Sequence, residues 1–350
     1  MRTSTFFLRA ALLVLSLWSL PRLSAQYIAV VSPAGQTTMC TTFSAAIREA
    51  EQGSFIYLPG NRAGLNIPAG EKIAKQVHIV GVGYRDDNNP SEGRTLLRGN
   101  LHFVTGADGS SVTGVSLEGD ILIGDTGLGR IGSVVNNLFI HRNLFNSIIR
   151  NYDSNKDSLA CSGLVIAENV INGKINLWCP NVDILNNIII KDSYLNGDPF
   201  YKIKGGNILN NIFLYQRPDF SDCSQLNVSN NIFPSWFAVS NSSFSNCNNN
   251  IICAEREGKD NYWNITKDKL FKKWEGNSNY HTTDDYRLKD NSVGKNGGTD
   301  GTDVGLYGGR FPWKDGALPY NPHVNSAVIS GMAAPDGTIQ LKVNVTTDGY

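Results

Sequence analysis

The chain has 350 residues, with 31 basic and 31 acidic side chains. That balance excludes the strongly basic surface that nucleic-acid recognition requires, so no nucleic-acid partner is expected. The length exceeds what one globular core ordinarily fills, but it suits a chain that grows in one dimension by repetition.

Residues 1–25 read as a secretory signal peptide: Arg2 and Arg9 give a basic start, Ala10–Leu20 is an apolar run too short to span a bilayer, and Leu23-Ser24-Ala25 resembles a cleavage site. The leader carries Arg2, Arg9 and Arg22 and no acid, so the mature chain has 31 − 3 = 28 basic against 31 acidic residues, a net charge of −3. No later stretch is apolar enough to span a membrane. The mature protein is therefore expected to be secreted, periplasmic or on the cell surface, and monomeric. "YIAVV" then reads as a strand. In "TTFSAAIREAEQGSFIYLPG", Thr41 or Thr42 caps a helix whose stripe is Phe43, Ala46, Ile47 and Ala50, and Gly53 ends it. "SFIYLPG" and "KQVHIVGVGY" follow as strands.

From His141 onward one pattern recurs. "HRNLFNS", "AENVING", "ILNNIII", "ILNNIFL", "SNNIFPS" and "NNNIICA" place an asparagine before an apolar residue at Asn143, Asn169, Asn187, Asn211, Asn231 and Asn250. The steps are 26, 18, 24, 20 and 19 residues. Short apolar strands joined by Gly/Asn/Asp turns at a period near twenty, with no room for a helix in each unit, predict a parallel β-helix. About eight or nine coils fit. Stacked about 4.8 Å apart, the asparagines can satisfy one another as a buried ladder, and asparagine tolerates the left-handed backbone of a tight corner.

The six cysteines show no zinc-like spacing. Cys161 and Cys179 each lie eight residues before a ladder asparagine. They fall on adjacent rungs about 4.8 Å apart and are expected to form a disulfide, whereas Cys223 lies two rungs beyond Cys179. "TKDKLFKKWEG", with Leu270, Phe271 and Trp274 at helical spacing and Thr266 as cap, predicts a short helix on the solenoid flank. Residues 310–350 form an extension, Pro/Gly-rich at first and then an alternating strand at Gly337–Thr347. That strand pairs with the solenoid or belongs to a larger domain.

"FSAAIREAEQGSFIYLPG" followed by "KQVHIVGVGY", the asparagine ladder, and "DYRLKDNSVGKNGGTDGTDVGLYGG" at Asp285–Gly309 together resemble secreted right-handed parallel β-helix proteins of the pectate-lyase-like superfamily. The resemblance implies an all-β, right-handed parallel β-helix over 26–309, with an N-terminal capping helix. It also implies a bacterial origin and a glycan partner, either a polysaccharide or a cell-surface glycan. It does not fix an activity, since the fold hosts lyases, hydrolases, esterases, epimerases and inactive proteins.

In the resembled lyases the substrate groove lies along the strand face that precedes the asparagine corner. Counting nine back from three corners gives Trp178, Lys202 and Asp222, and counting eleven back gives Asn176, Phe200 and Phe220. β-Elimination across a uronic acid needs a cation or cationic group at the sugar carboxylate and a base for the adjacent proton. Lys202, Arg217 and Asp222 are the candidate catalytic residues. Asp219 and Asp222 are candidate ligands for Ca²⁺. Trp178, Tyr194, Tyr201 and Tyr215 are candidates for stacking on sugar rings. Hydrolysis would instead need two carboxylates, and Asp198 with Asp222 is the available pair. "ENVINGKINL" has a superficial likeness to the signature of alginate and chondroitin lyases, but Lys174 stands where an acid is expected. Two function classes stay open: a polysaccharide lyase or hydrolase, and a non-catalytic glycan-binding or surface protein.

Overall fold

The computed structural model describes residues 27–87, 93–124, 134–150, 161–177, 179–190, 200–214, 218–235, 237–254, 259–274, 279–314, 323–329 and 341–346. The expected leader lies outside these residues. Over the described residues the chain is an all-β parallel solenoid of about seven turns with one short α-helix. The turn count falls short of the eight or nine expected, because the segment after Asn261 runs back along the outside of the stack instead of adding coils.

Each full turn gives one strand to each of three sheets of eleven, nine and seven strands. One turn, for example, consists of Lys204–Leu209, Ile212–Phe213 and Asp219–Ser221. The next consists of Ser224–Ser229, Ile232–Phe233 and Ala238–Ser240. At the N-terminal end, Ile28–Val31 pairs antiparallel with both Thr37–Cys40 and Ser54–Tyr57. The helix Phe43–Glu49 starts at Thr42, whose Oγ1 accepts from Ala45 N. Its buried Phe43, Ala46 and Ile47 belong to the same core as Ile28 and Ile56.

The asparagine pairs divide their work between the two sides of one corner. Asn143, Asn169, Asn187, Asn211, Asn231 and Asn250 are all fully buried. Asn187 Nδ2 donates to Asn211 Oδ1 at 3.0 Å and to Ile166 O at 2.8 Å, while Asn169 N and Nδ2 both donate to Asn187 Oδ1. The same set repeats along the file, which ends on Asn261, a residue that the spacing did not reveal. The preceding residue takes the left-handed backbone: Asn186, Asn210, Asn230 and Asn249 have φ of 54°, 59°, 59° and 53°. The corner strain therefore falls on the first asparagine of the pair, and the buried amide chain on the second.

The first asparagines also hold a strap. Asn249 Nδ2 donates to Gly297 O, Asn230 exchanges two bonds with Thr299, Asn210 Nδ2 reaches Gly305 O, and Asn186 Nδ2 reaches Leu306 O and Gly308 O. Residues 297–308 thus run back across four coils. This explains the consecutive apolar residues after each asparagine. Ile171, Ile189, Phe213, Phe233 and Ile252 face the solenoid core. Val170, Ile188, Ile212, Ile232 and Ile251 belong to a second apolar layer with Leu270, Leu288, Val304 and Leu306. Two glycines, one just before the strap and one in it, allow the close approach: a Cβ on Gly294 would lie 2.6 Å from Ile251 Cδ1, and one on Gly305 would lie 2.6 Å from Ile232 Cδ1.

The helix expected over "TKDKLFKKWEG" is instead one 3₁₀ turn, Lys267–Lys269, followed by the strand Phe271–Lys273, which pairs antiparallel with Asp285–Leu288. A segment this short cannot offset helix nucleation, and strand pairing over a shared apolar layer prevails. His323–Ile329 and Leu341–Thr346 form a separate antiparallel pair, so the late alternating strand finds its partner outside the three solenoid sheets. Cys161 and Cys179 form a disulfide with a Cα–Cα distance of 5.4 Å, as adjacent rungs require. Ile203 follows on the next rung and Cys223 on the one after, where its buried thiol forms no disulfide and donates to Ser221 O at 3.4 Å. Among the described residues no helix is long and apolar enough to cross a membrane.

Candidate functional site

The seven-stranded sheet carries the candidate face. Its inner positions are Leu101, Ile121, Ile148, Ile175, Phe200 and Phe220, all buried, with the Phe200 and Phe220 rings stacked 4.8 Å apart. Alternation along a strand then turns the next residue outward. The outward file in register includes His102, Leu122, Asn176, Tyr201, Ser221 and Ser240. Counting back from the corners therefore slips by one residue at Asn176. From Ile175 to Cys179 is four residues, whereas from Phe200 to Ile203 and from Phe220 to Cys223 is three, so one extra residue sits beside Trp178.

Tyr201 is half-buried on this outward file. Lys202 and Asp222 do not lie on the strands themselves but at the turn that follows each strand, with φ of 54° and 52°. Lys202 N donates to Ser221 O and Asp222 N to Ser240 O, which sets these residues one rung apart on the same corner. Lys202 Nζ lies 5.2 Å from the centre of the Tyr201 ring. Asp222 Oδ1 accepts from Asn241 Nδ2 at 2.7 Å, and Asn241 takes the same left-handed corner one rung further on. Asp219 is half-buried, two residues before Ser221 on the same strand, and its Oδ1 accepts from Ser240 Oγ at 3.3 Å. The structure thus gathers Tyr201, Lys202, Asp219 and Asp222 at one end of this sheet. Trp178, Tyr194, Tyr215 and Arg217 lie outside the described residues, as does Asp198.

Asp219 and Asp222 offer between two and four of the roughly six to eight oxygens that Ca²⁺ takes. Among the described residues no three His, Cys, Asp or Glu side chains gather as a metal ion would need. The group set is otherwise suited to sugars: an aromatic ring, an ammonium group, two carboxylates and the polar Asn176, Ser221 and Ser240. At the far end of the same face a cavity of about 230 Å³ is lined by His102, Leu122, Asn100 and Glu71. Four strand spacings of about 4.8 Å separate the His102 and Tyr201 strands, so the face between them runs about 19 Å.

A second concavity, which sequence reasoning missed, lies where the strap ends. It is lined by Tyr280, Tyr286, Tyr307 and Trp313 together with Arg85, Asp284, Asp285 and Arg287. These residues come from three distant segments with no shared spacing, so no sequence signal pointed to it. No protein-family model, curated protein or solved structure matches the chain.

Proposed function

We propose that the chain is a secreted, right-handed parallel β-helix of the pectate-lyase-like kind, that its buried asparagine file is the ladder keeping the coils in register, and that it binds polysaccharide along the outward face of the seven-stranded sheet. The observation that carries this reading is the in-register file from His102 through Asn176 and Tyr201 to Ser240, with Lys202, Asp219 and Asp222 at its end. Aromatic and amide groups on a sheet face give stacking and hydroxyl contacts, and a lysine beside them suits an acidic sugar. The test is binding to a panel of neutral and uronic polysaccharides by isothermal titration or affinity electrophoresis. Binding of at least one polymer should weaken tenfold or more in Tyr201→Ala and in Lys202→Ala. Retention that is the same in both variants as in wild type would refute the site.

A second reading, that the same face carries out β-elimination or hydrolysis, is favoured by Lys202 and Asp222 standing one rung apart on one corner. A base beside carboxylates is the minimum set for eliminating across a uronic acid. With Ca²⁺ present, unsaturated-product absorbance reports a lyase and new reducing ends report a hydrolase. Activity that persists in Lys202→Ala and Arg217→Ala removes this site, and binding without turnover on every polymer leaves the non-catalytic reading.

A further inference from the structure

The turn that leads into the seven-stranded sheet is longer on the first coil than on the next two. Asn66 stands in register with Arg98, and Arg98 with Glu118, while Ile73 stands in register with Phe103, and Phe103 with Ile123. From Asn66 to Ile73 is 73 − 66 = 7 residues, whereas Arg98 to Phe103 and Glu118 to Ile123 are 5 each. The two extra residues make a projection. Its base is tied down, since Ile67 N donates to Arg98 O and Ile73 N to His102 O, both at 2.8 Å. Its tip is a tight turn, in which Glu71 N donates to Pro68 O at 3.1 Å and Gly70 takes a φ of 82° at the third position. Pro68, Ala69 and Gly70 are exposed.

Residues 67–71 line one cavity of about 230 Å³ together with His102 and Leu122, which point outward from the sheet. They share it because the projection rises on the outward side. It therefore walls off the face at the end where His102 begins the outward file. At the opposite end the last strand, Ala238–Ser240, leaves Ser240 and the following Asn241 exposed. The cavity is below the roughly 300–1,000 Å³ of sites for drug-sized ligands, a size for one ring and not a chain. Its polar groups suit hydroxyls, which both donate and accept. His102 Nε2 lies 2.6 Å from Gly124 O, an acceptor only, so Nε2 carries the proton and Nδ1 of the neutral ring accepts. Asn100 Oδ1 accepts from Asp120 N at 2.9 Å, which orients its Nδ2 as a donor. Glu71 Oε2 accepts from Ser44 Oγ, which anchors the wall to the capping helix. Asn100 is exposed, and Glu71 and His102 are half-buried, so a ligand can reach all three. Among the described residues no lysine or arginine lines this end.

We propose that the face takes a polysaccharide by one chain end: the terminal ring enters this cavity through its hydroxyls, and the chain runs out over Asn176 and Tyr201 towards Lys202. The inference rests on the polysaccharide reading of the face and adds a terminus to it. The experiment uses the full chain and a polymer that binds it, cut into chains of defined length and followed by isothermal titration. One protein should bind per chain whatever its length, and affinity per unit mass of polymer should rise as cutting multiplies the ends. His102→Ala and Asn100→Ala should each weaken binding tenfold or more at an unchanged melting temperature. Deleting Ala69 and Gly70, which restores the spacing of 5 residues found on the next two coils, should open the face and let long chains carry several proteins. Several wild-type proteins on each long chain, or binding unchanged in both point variants, would overturn the inference. If Tyr201→Ala and Lys202→Ala still weaken binding in that case, the face stands and only the terminus falls. If no polymer binds, both fall.

Discussion

Arg142 Nε lies 2.9 Å from Glu168 Oε2, and both side chains are 1% exposed. The two residues stand on successive coils at the corner position that Asn186, Asn210 and Asn230 hold on later ones, with φ of 56° and 54°. A buried ion pair thus replaces two asparagines in the outer file. Breaking such a pair from one side costs about 3–5 kcal/mol, because the remaining charge is stranded. Glu168→Gln is expected to lower stability by that order in chemical denaturation. The double variant Arg142→Asn/Glu168→Asn should cost less than Glu168→Gln alone, since it restores the residue the other corners use. Additive losses across a double-mutant cycle would show that the two groups are not coupled.

Asn186 and Asn187 are neighbours with opposite tasks, and substitution should separate them. Asn187→Leu removes the acceptor of Asn169 N and Nδ2 and the donor to Asn211, and it is expected to cost about 2–4 kcal/mol by stranding buried polar groups. Asn186→Gly keeps the left-handed backbone and removes only the bonds to Leu306 O and Gly308 O, so about 1–2 kcal/mol is expected. Urea midpoints measure both. Equal midpoints for Asn187→Leu and wild type would show that this amide is not buried.

The Cys161–Cys179 bridge closes a loop with a sequence separation of 18. By loop-closure entropy it contributes about 3 kcal/mol. Cys161→Ser/Cys179→Ser should lower the melting temperature while leaving the other four thiols as they are. Non-reducing peptide mapping that recovers both residues as free thiols in the wild type would remove the bridge.

Acid and alkali should destabilise the fold through different groups. Burial, helped by Arg142, lowers the His141 pKa to about 3 from an ordinary 6.5, so the native ring stays neutral while the unfolded one takes up a proton. Stability from this group is present above about pH 6.5 and falls by about 1.4 kcal/mol per pH unit as pH drops toward the folded value. His141→Gln should flatten that slope between pH 6.5 and 4. Burial raises the thiols of Cys223, Cys247 and Cys253 to about 11 from 9.0. The unfolded thiols ionise first, so stability is lost as pH rises from about 9 through 11. Denaturant midpoints that do not move over both ranges would contradict these assignments.

Much of the solenoid was legible because stacking puts every coil's equivalent residue in the same environment. Asn187, Asn211 and Asn231 repeat because each must serve the one before, and Cys161 and Cys179 were paired by the same count. That Lys202 and Asp222 stand on neighbouring rungs followed from the same count, but at the corner after each strand and not on the strand face, while Asn176 slipped by one where the spacing to the corner gains a residue. The strap and its cavity have no such periodicity. Asn186 meets Gly308 across a sequence separation of 122, and Arg85 meets the 280–287 segment through tertiary packing alone. Leu270 and Phe271 were misread as helical because an apolar doublet that fills a layer between a turn and a strand mimics a helical stripe over so few residues.

The bonds from Asn249, Asn230, Asn210 and Asn186 to residues 297–308 also bear on how the chain acquires its structure. A bare stack of coils behaves as a row of nearest-neighbour units that can fray from either end. Here a later segment crosses back over four coils made earlier and covers the apolar layer they would otherwise expose. As the chain emerges from the N-terminus, those coils carry Ile188, Ile212 and Ile232 uncovered until the strap arrives. A truncation before Gly297 is therefore predicted to leave a sticky intermediate, whereas the full chain melts as one cooperative block.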